Sequence, residues 1–157
     1  MILHLCPDHV LKTATQWVPS RWCSDSMHRI LIVDDSPTIR KMVKASLREL
    51  GSSEFLEAAT GLEAIEQLAI GQVQLVVLDL NMPDMHGIDV LKFVRRHEQY
   101  QNLPIVVLTT RGDETSRLTA EAAGATTYLT KPFAPQMLVT TVRDLLSSTT
   151  TAAAAQG

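Results

Sequence analysis

Cysteine is scarce in this chain of 157 residues: there are two, Cys6 and Cys23. Two cysteines cannot staple a domain of this length, and their scarcity fits a reducing cytoplasm. Basic excess is also missing. Lys and Arg number 14 against 17 Asp and Glu, a net charge of −3, which argues against a direct grip on nucleic acid through a basic surface. No apolar run approaches the ~18 residues that read as a membrane span. The opening MILHLCPDHV lacks a basic start, and Pro7 and Asp8 interrupt its apolar stretch, so it does not read as a secretory signal. Neither a P-loop nor a G-x-G-x-x-G occurs, so nucleotide binding finds no support. What is present is ordinary: 45% hydrophobic and 20% charged residues, a composition that excludes wholesale disorder.

Both cysteines and both tryptophans (Trp17, Trp22) lie within the first 27 residues, and this composition shift marks a boundary. Residues 1–27 read as an N-terminal extension. Val10, Leu11, Ala14, Trp17 and Val18 follow a helical period; alternatively, translation starts at Met27. Cys6, His9, Cys23 and His28 loosely follow zinc spacing, a pattern that arises easily by chance. From residue 28 to 147 the chain becomes regular. Five short runs, 30–33, 54–58, 75–80, 105–108 and 127–129, read as strands, and the first, third and fourth are nearly all Val, Ile and Leu, as strands buried on both faces are. Helical stretches lie between them. Ser36-Pro37 opens the first, Thr60-Gly61-Leu62-Glu63 is a capping box for the second, and Pro135 opens the fifth. A (βα)5 alternation with short loops implies an α/β fold, a doubly wound parallel five-stranded sheet with helices on both faces. The uncharged stretch 148–157 reads as a disordered tail.

In an open parallel sheet the ligand site lies beyond the carboxyl ends of the strands. Asp34 and Asp35 follow the first strand, Asp79 ends the third and is followed by Asn81, Thr109 and Thr110 follow the fourth, and Thr130, Lys131 and Pro132 follow the fifth. Three neighbouring carboxylates repel unless cations compensate. Lys131 supplies one charge, and a hard divalent ion such as Mg²⁺ suits the oxygen donors. A lysine, a hydroxyl and a metal around a carboxylate are the parts that stabilise a transferring phosphoryl group, with Asp79 as nucleophile.

The motifs ILIVDDS, LVVLDLNMPDMHG, IVVLTT and GATTYLTKPF, in this order, resemble the response-regulator receiver domains of the CheY-like family. The resemblance spans residue 27 to about 147 and implies strand order 2-1-3-4-5. It implies that Asp79 is the phospho-acceptor and that Asp34 and Asp35 orient Mg²⁺, with the Asn81 backbone carbonyl as a further ligand. It implies that Lys131 pairs with the phosphoryl group through a loop with a cis Lys131–Pro132 bond. Thr109 and Tyr128 correspond to the switch hydroxyl and switch aromatic. Asn81 and Arg111 stand where the family tunes phosphoryl lifetime. The implied donor is a histidine kinase or phosphotransfer protein, and the implied output is a downstream protein, a motility switch or a relay protein.

Bland readings stand beside these. Asp34 and Asp35 could simply cap the first helix, and Tyr128 could be a packing aromatic. A carboxylate-metal phosphatase-like enzyme is the competing class, but its usual D-x-D after the first strand is here an adjacent Asp34-Asp35. Within receivers, Thr126 and Thr127 stand where many DNA-binding regulators carry acids. The resulting expectation is a cytoplasmic, monomeric, stand-alone signalling receiver of chemotaxis type, not an enzyme beyond its own phosphorylation and dephosphorylation, or else a phosphate carrier in a relay.

Overall fold

Long side chains of Val, Ile and Leu in unbroken runs can be buried only where both faces of a sheet are covered. The computed structural model, which describes residues 27–110 and 113–154, places those runs at the centre. Five parallel strands, β1 (His28–Val33), β2 (Ser53–Ala58), β3 (Leu75–Asp79), β4 (Ile105–Thr110) and β5 (Thr127–Lys131), alternate with α1 (Pro37–Leu47), α2 (Gly61–Ile70), α3 (Gly87–Arg96), α4 (Glu114–Ala122) and α5 (Pro135–Ala154). The sheet order is β2-β1-β3-β4-β5, the expected doubly wound order. All five residues of β3 are buried.

Strand side chains alternate between faces, and the two halves of the core follow that parity. Leu31, Val33, Val76, Leu78, Ile105 and Val107 pack with buried residues of α2, α3 and α4. Ile30, Ile32, Leu75, Val77, Val106 and Leu108 pack with α1 and α5 on the other face. Helix starts are capped as their sequences demand. Ser36 accepts from the Ile39 N–H, and Thr60 Oγ1 accepts from the Glu63 N–H at 3.1 Å. The Glu63 carboxylate reaches back to the Ala59 N–H at 2.7 Å, one residue earlier than in the usual reciprocal box. Asp113 caps α4 by accepting from the Ser116 N–H at 3.0 Å.

Several boundaries differ from the sequence expectation. The helix α5 runs to Ala154, past Ser147, where the tail was expected to begin. No Gly or Pro stops it there, the stretch includes alanines, the best helix formers, and the Ser147 and Ser148 hydroxyls donate back to the Arg143 and Asp144 carbonyls. Strands β4 and β5 also run further than their apolar runs, because Thr109 pairs with Thr130 and Thr110 with Lys131. Backbone pairing continues where the hydrophobic pattern ends, so Thr109 and Lys131 sit on the sheet rather than on loops. Cys6, His9 and Cys23 of the zinc-like pattern lie outside the described residues.

The turn after β3 is built on a close approach at Gly87. A Cβ there would lie 2.2 Å from the Asp79 carbonyl oxygen and 2.8 Å from the Leu80 Cα. The Gly87 N–H donates to the Leu80 carbonyl at 3.2 Å, which draws the start of α3 onto the end of β3. Gly87→Ala is expected to destabilise the fold by about 2–3 kcal/mol, as overpacking against backbone does. Urea denaturation with an unchanged m-value checks this.

Candidate functional site

The alternation that builds the core also selects what reaches the carboxyl edge. Val33 of β1 pairs with Leu78 of β3, and both point to the α2–α4 face. The next residues, Asp34 and Asp79, therefore turn together to the α1–α5 side. Lys131, on β5 two strands from β3, pairs with Thr110 of the neighbouring β4 and shares the parity of Leu129, which packs on the α1–α5 side. Asp34 and Asp79 are 1% and 3% exposed, whereas Asp35 is open to solvent.

Lys131 bridges the two buried acids. Its Nζ donates to Asp34 Oδ2 at 2.7 Å and lies 3.1 Å from Asp79 Oδ1. The contact with Asp79 is an ion pair without hydrogen-bond alignment, since no donor is well directed at the buried Oδ1. The other oxygen of Asp34 accepts from the Ser36 N–H at 2.8 Å. The capping reading of Asp34 and Asp35 does not hold, because Ser36 is the cap of α1; one Asp34 oxygen instead serves the loop before the helix and the other serves Lys131. Arg40 fixes the same residue from behind, donating to the Asp34 carbonyl at 2.6 Å while pairing with Glu57 of β2. Sequence reading did not single out Arg40. Its one signal is a position on the first turns of α1, close enough to reach back over the β1–α1 loop.

Oxygen atoms of Asp34, Asp35 and Asp79 lie within 4.8 Å of one another. One ammonium against three carboxylates leaves two negative charges uncompensated. Burial pushes the Asp79 carboxyl above its ordinary range. The Lys131 charge opposes that rise and the Asp34 charge adds to it. Burial alone would lower the Lys131 ammonium, but its hydrogen bond to Asp34 and the charges of both acids outweigh this and hold it high. An all-oxygen donor set with a poorly satisfied buried oxygen fits a hard divalent cation such as Mg²⁺; Asp34, Asp35 and Asp79 are the residues that could hold it.

The opposite parity carries the other two residues singled out in the sequence. Tyr128 pairs with Val107, whose side chain packs on the α2–α4 side, and Thr109 follows two residues later on the same face. Thr109 is 2% exposed and Tyr128 is 37% exposed, so the hydroxyl is sealed in while the ring stands outward. Asn81 donates from Nδ2 to Thr110 Oγ1 at 2.9 Å, joining the loop after β3 to the end of β4. In the sequence Thr110 reads only as a hydroxyl at the edge, and no sequence spacing announces this pair. Arg111 lies outside the described residues.

The raised Asp79 carboxyl has a stability consequence. An acid whose folded pKa lies above its unfolded value, near 3.9, stabilises the fold fully below that value. The contribution disappears as pH rises through the folded pKa. At neutral pH without divalent cations, Asp79→Asn is therefore expected to raise stability, on the order of 1–3 kcal/mol for relief of a poorly satisfied buried group. The gain should shrink to nothing as pH falls below the ordinary Asp range. Mg²⁺ should narrow the difference at neutral pH, because it stabilises only the form that binds it. Denaturation midpoints across pH, with and without Mg²⁺, check both statements.

Comparison with known proteins agrees with this geometry. The family described as "Response regulator receiver domain" matches residues 30–143. A chemotaxis protein CheY homolog of Campylobacter jejuni is 39% identical over 121 residues, covering 76% of this chain and 93% of its own. Chemotaxis protein CheY1 of Helicobacter pylori is 41% identical over 111 residues, 70% of this chain and 90% of its own. Among solved structures, the chemotaxis protein CheY4 of Vibrio cholerae superposes with a TM-score of 0.71 at 38% identity, covering 76% of this chain and 99% of its own. With its sheet order, its acidic edge and a match across most of its length, the chain belongs to the response-regulator receiver family, the CheY-like signalling proteins of two-component systems.

Proposed function

We propose that Asp79 accepts a phosphoryl group from a histidine kinase or phosphotransfer protein, and that the phosphorylated chain signals by binding a downstream protein. The carrying observation is the buried Asp79 carboxylate, with Oδ1 facing Lys131 at 3.1 Å inside a three-carboxylate cluster. With Oδ1 sealed and facing the ammonium, Oδ2 is the attacking atom. Its lone pair forms the new bond to phosphorus as the bond from phosphorus to the donor breaks, and the donor leaves with that electron pair. Asp79 becomes an acyl phosphate. The Lys131 ammonium shifts from balancing a carboxylate to pairing with phosphoryl oxygen. Mg²⁺, held by Asp34, Asp35, Asp79 and the Asn81 main-chain carbonyl, would supply the remaining positive charge around the transferring group.

The acceptor position explains the rest of the reading. A phosphoryl group adds charge and strong acceptor oxygens at the end of β3. Thr109, buried one strand away, is the hydroxyl that turns toward it and donates. Its turn frees space on the face it shares with Tyr128, into which the ring moves. Asn81, two residues beyond the acceptor, and Arg111, two residues beyond Thr109, set how long the acyl phosphate lasts. The surface of α4, β5 and α5 then presents two states, and a partner that distinguishes them reads the signal. The relatives named as chemotaxis proteins support a motility switch as that partner. The chain acts in the cytoplasm as a monomer, with no nucleic acid or membrane contact of its own.

Intact-protein mass spectrometry tests the acceptor. With Mg²⁺ and a small acyl-phosphate donor the protein should gain one phosphoryl mass, labile to hydroxylamine, and Asp79→Asn should gain none. Equal labelling of that variant would show that the acceptor lies elsewhere. Asp35→Asn should weaken Mg²⁺ binding and slow labelling by roughly tenfold or more, as losing one carboxylate ligand from a weak site of few ligands does. Titration of Mg²⁺ in the two proteins measures this. Thr109→Ala should accept phosphate on Asp79 yet lose most of the change in partner affinity; a coupling of about 1–3 kcal/mol is typical of such linkage. Retention of the full affinity change would remove Thr109 from the switch and leave the chain as a phosphate carrier in a relay.

A further inference from the structure

Tyr128 is not simply exposed: one cation covers it at both face and tip. Arg117 of α4 places its guanidinium carbon 4.8 Å from the centroid of the Tyr128 ring, and its Nη1 donates to the Tyr128 hydroxyl at 3.1 Å. The same guanidinium is anchored by Glu114 and Glu121, three residues before it and four after it on its own helix. Those two carboxylates fix the guanidinium relative to α4 whatever Tyr128 does. An arginine serving only Glu114 and Glu121 would need no partner on β5, yet this one lies over the ring with 24% of its side chain exposed.

We propose that Arg117 is a positioning residue that braces Tyr128 in its outward state, so that the signalling change must first detach the ring from this cation. The inference rests on the reading of Tyr128 as a switch residue given above. Turning the ring inward gives up the stacking and the phenol hydrogen bond, while both carboxylate pairs persist. Arg117 is therefore not stranded without partners when the ring leaves, and the brace can be released and remade. Because the site is open to solvent, the brace is modest, and its loss should alter an equilibrium by about two- to fivefold. By reciprocity, whatever holds the ring outward weakens the binding of any group at Asp79 that favours the inward state.

The full chain carrying 3-fluorotyrosine tests this by fluorine NMR, with the Tyr128 signal assigned by loss of the Tyr100 signal in Tyr100→Phe. Beryllofluoride with Mg²⁺ serves as the phosphoryl probe. In the unsubstituted protein the Tyr128 resonance should move on addition of the probe. In Arg117→Ala the resting resonance should already be displaced toward the probe-bound position. Half-saturation should then need about two- to fivefold less beryllofluoride. Glu121→Gln, which removes one of the two carboxylates anchoring the guanidinium, should move the midpoint in the same direction by no more than Arg117→Ala does. Arg117→Met, which keeps the aliphatic stem, is read in the same way should the alanine variant unfold. If Tyr128 moves in the unsubstituted protein but neither Arg117 variant changes the midpoint, the brace is refuted and the switch stands. If Tyr128 does not move in the unsubstituted protein, the switch reading fails and the brace falls with it.

Discussion

Asp79 brings a carboxylate to the end of a strand whose every residue is buried. A charge in that position is tolerated only when its surroundings supply compensation. The chain supplies it from far away in sequence: Lys131 reaches across from β5, at the edge of the sheet, to meet Asp34 and Asp79 together. Compensation is incomplete, since two negative charges remain and Asp79 Oδ1 has no well-directed donor. A fully satisfied carboxylate would be a structural residue. One held partly short of partners gains from a divalent ion, or from exchange of its own charge for a phosphoryl group paired with Lys131. The electrostatic imbalance at Asp79 is thus the common origin of the cation-compatible cluster and of the proposed phosphoryl acceptance.

The scaffold around this imbalance is stiff on one side and adjustable on the other. Gly87 brings α3 against the backbone of Asp79 at a distance no side chain would permit. Arg40 ties the Asp34 carbonyl to Glu57 of β2. Behind the outer strands, Arg95 of α3 donates to the Gly124 carbonyl at 2.8 Å, and Thr126 Oγ1 accepts the Ile105 N–H at 3.0 Å. Thr126 stands where many DNA-binding regulators carry an acid, and here its hydroxyl is used to pin the start of β5 to β4. Movement is therefore more easily carried by side chains between α4 and the sheet than by the strands. There the contacts are solvent-accessible and exchangeable, as in the Arg117 cluster on Tyr128.

Much of this was legible in the residue string. Apolar runs placed β1, β3 and β4, because burial on both faces leaves an unmistakable pattern. The caps at Ser36 and Thr60 were readable because capping depends on residues within one helical turn. Asp34, Asp35, Asp79, Thr109 and Lys131 could be gathered at one edge from the rule that parallel strands all end on the same side. Strand ends were less legible. Thr109, Thr110 and Lys131 continue the pairing without hydrophobic side chains, so periodicity could not report it. The last helix passed the expected boundary at Ser147 because an Ala-containing stretch without a breaker reads as low complexity and as helix equally well.

The amino-acid order alone thus determined the architecture and the membership of the acidic edge, since both follow from local patterns and from one topological rule. Tertiary structure decided how that edge is balanced. That Lys131 lies closer to Asp34 than to Asp79, that Asp34 divides its oxygens between the loop before α1 and an ion pair, that Asn81 bonds Thr110, and that Arg117 covers Tyr128 are matters of how separate elements are placed against one another. No spacing in the sequence encodes them, because each depends on how strand twist, helix position and side-chain length combine in three dimensions.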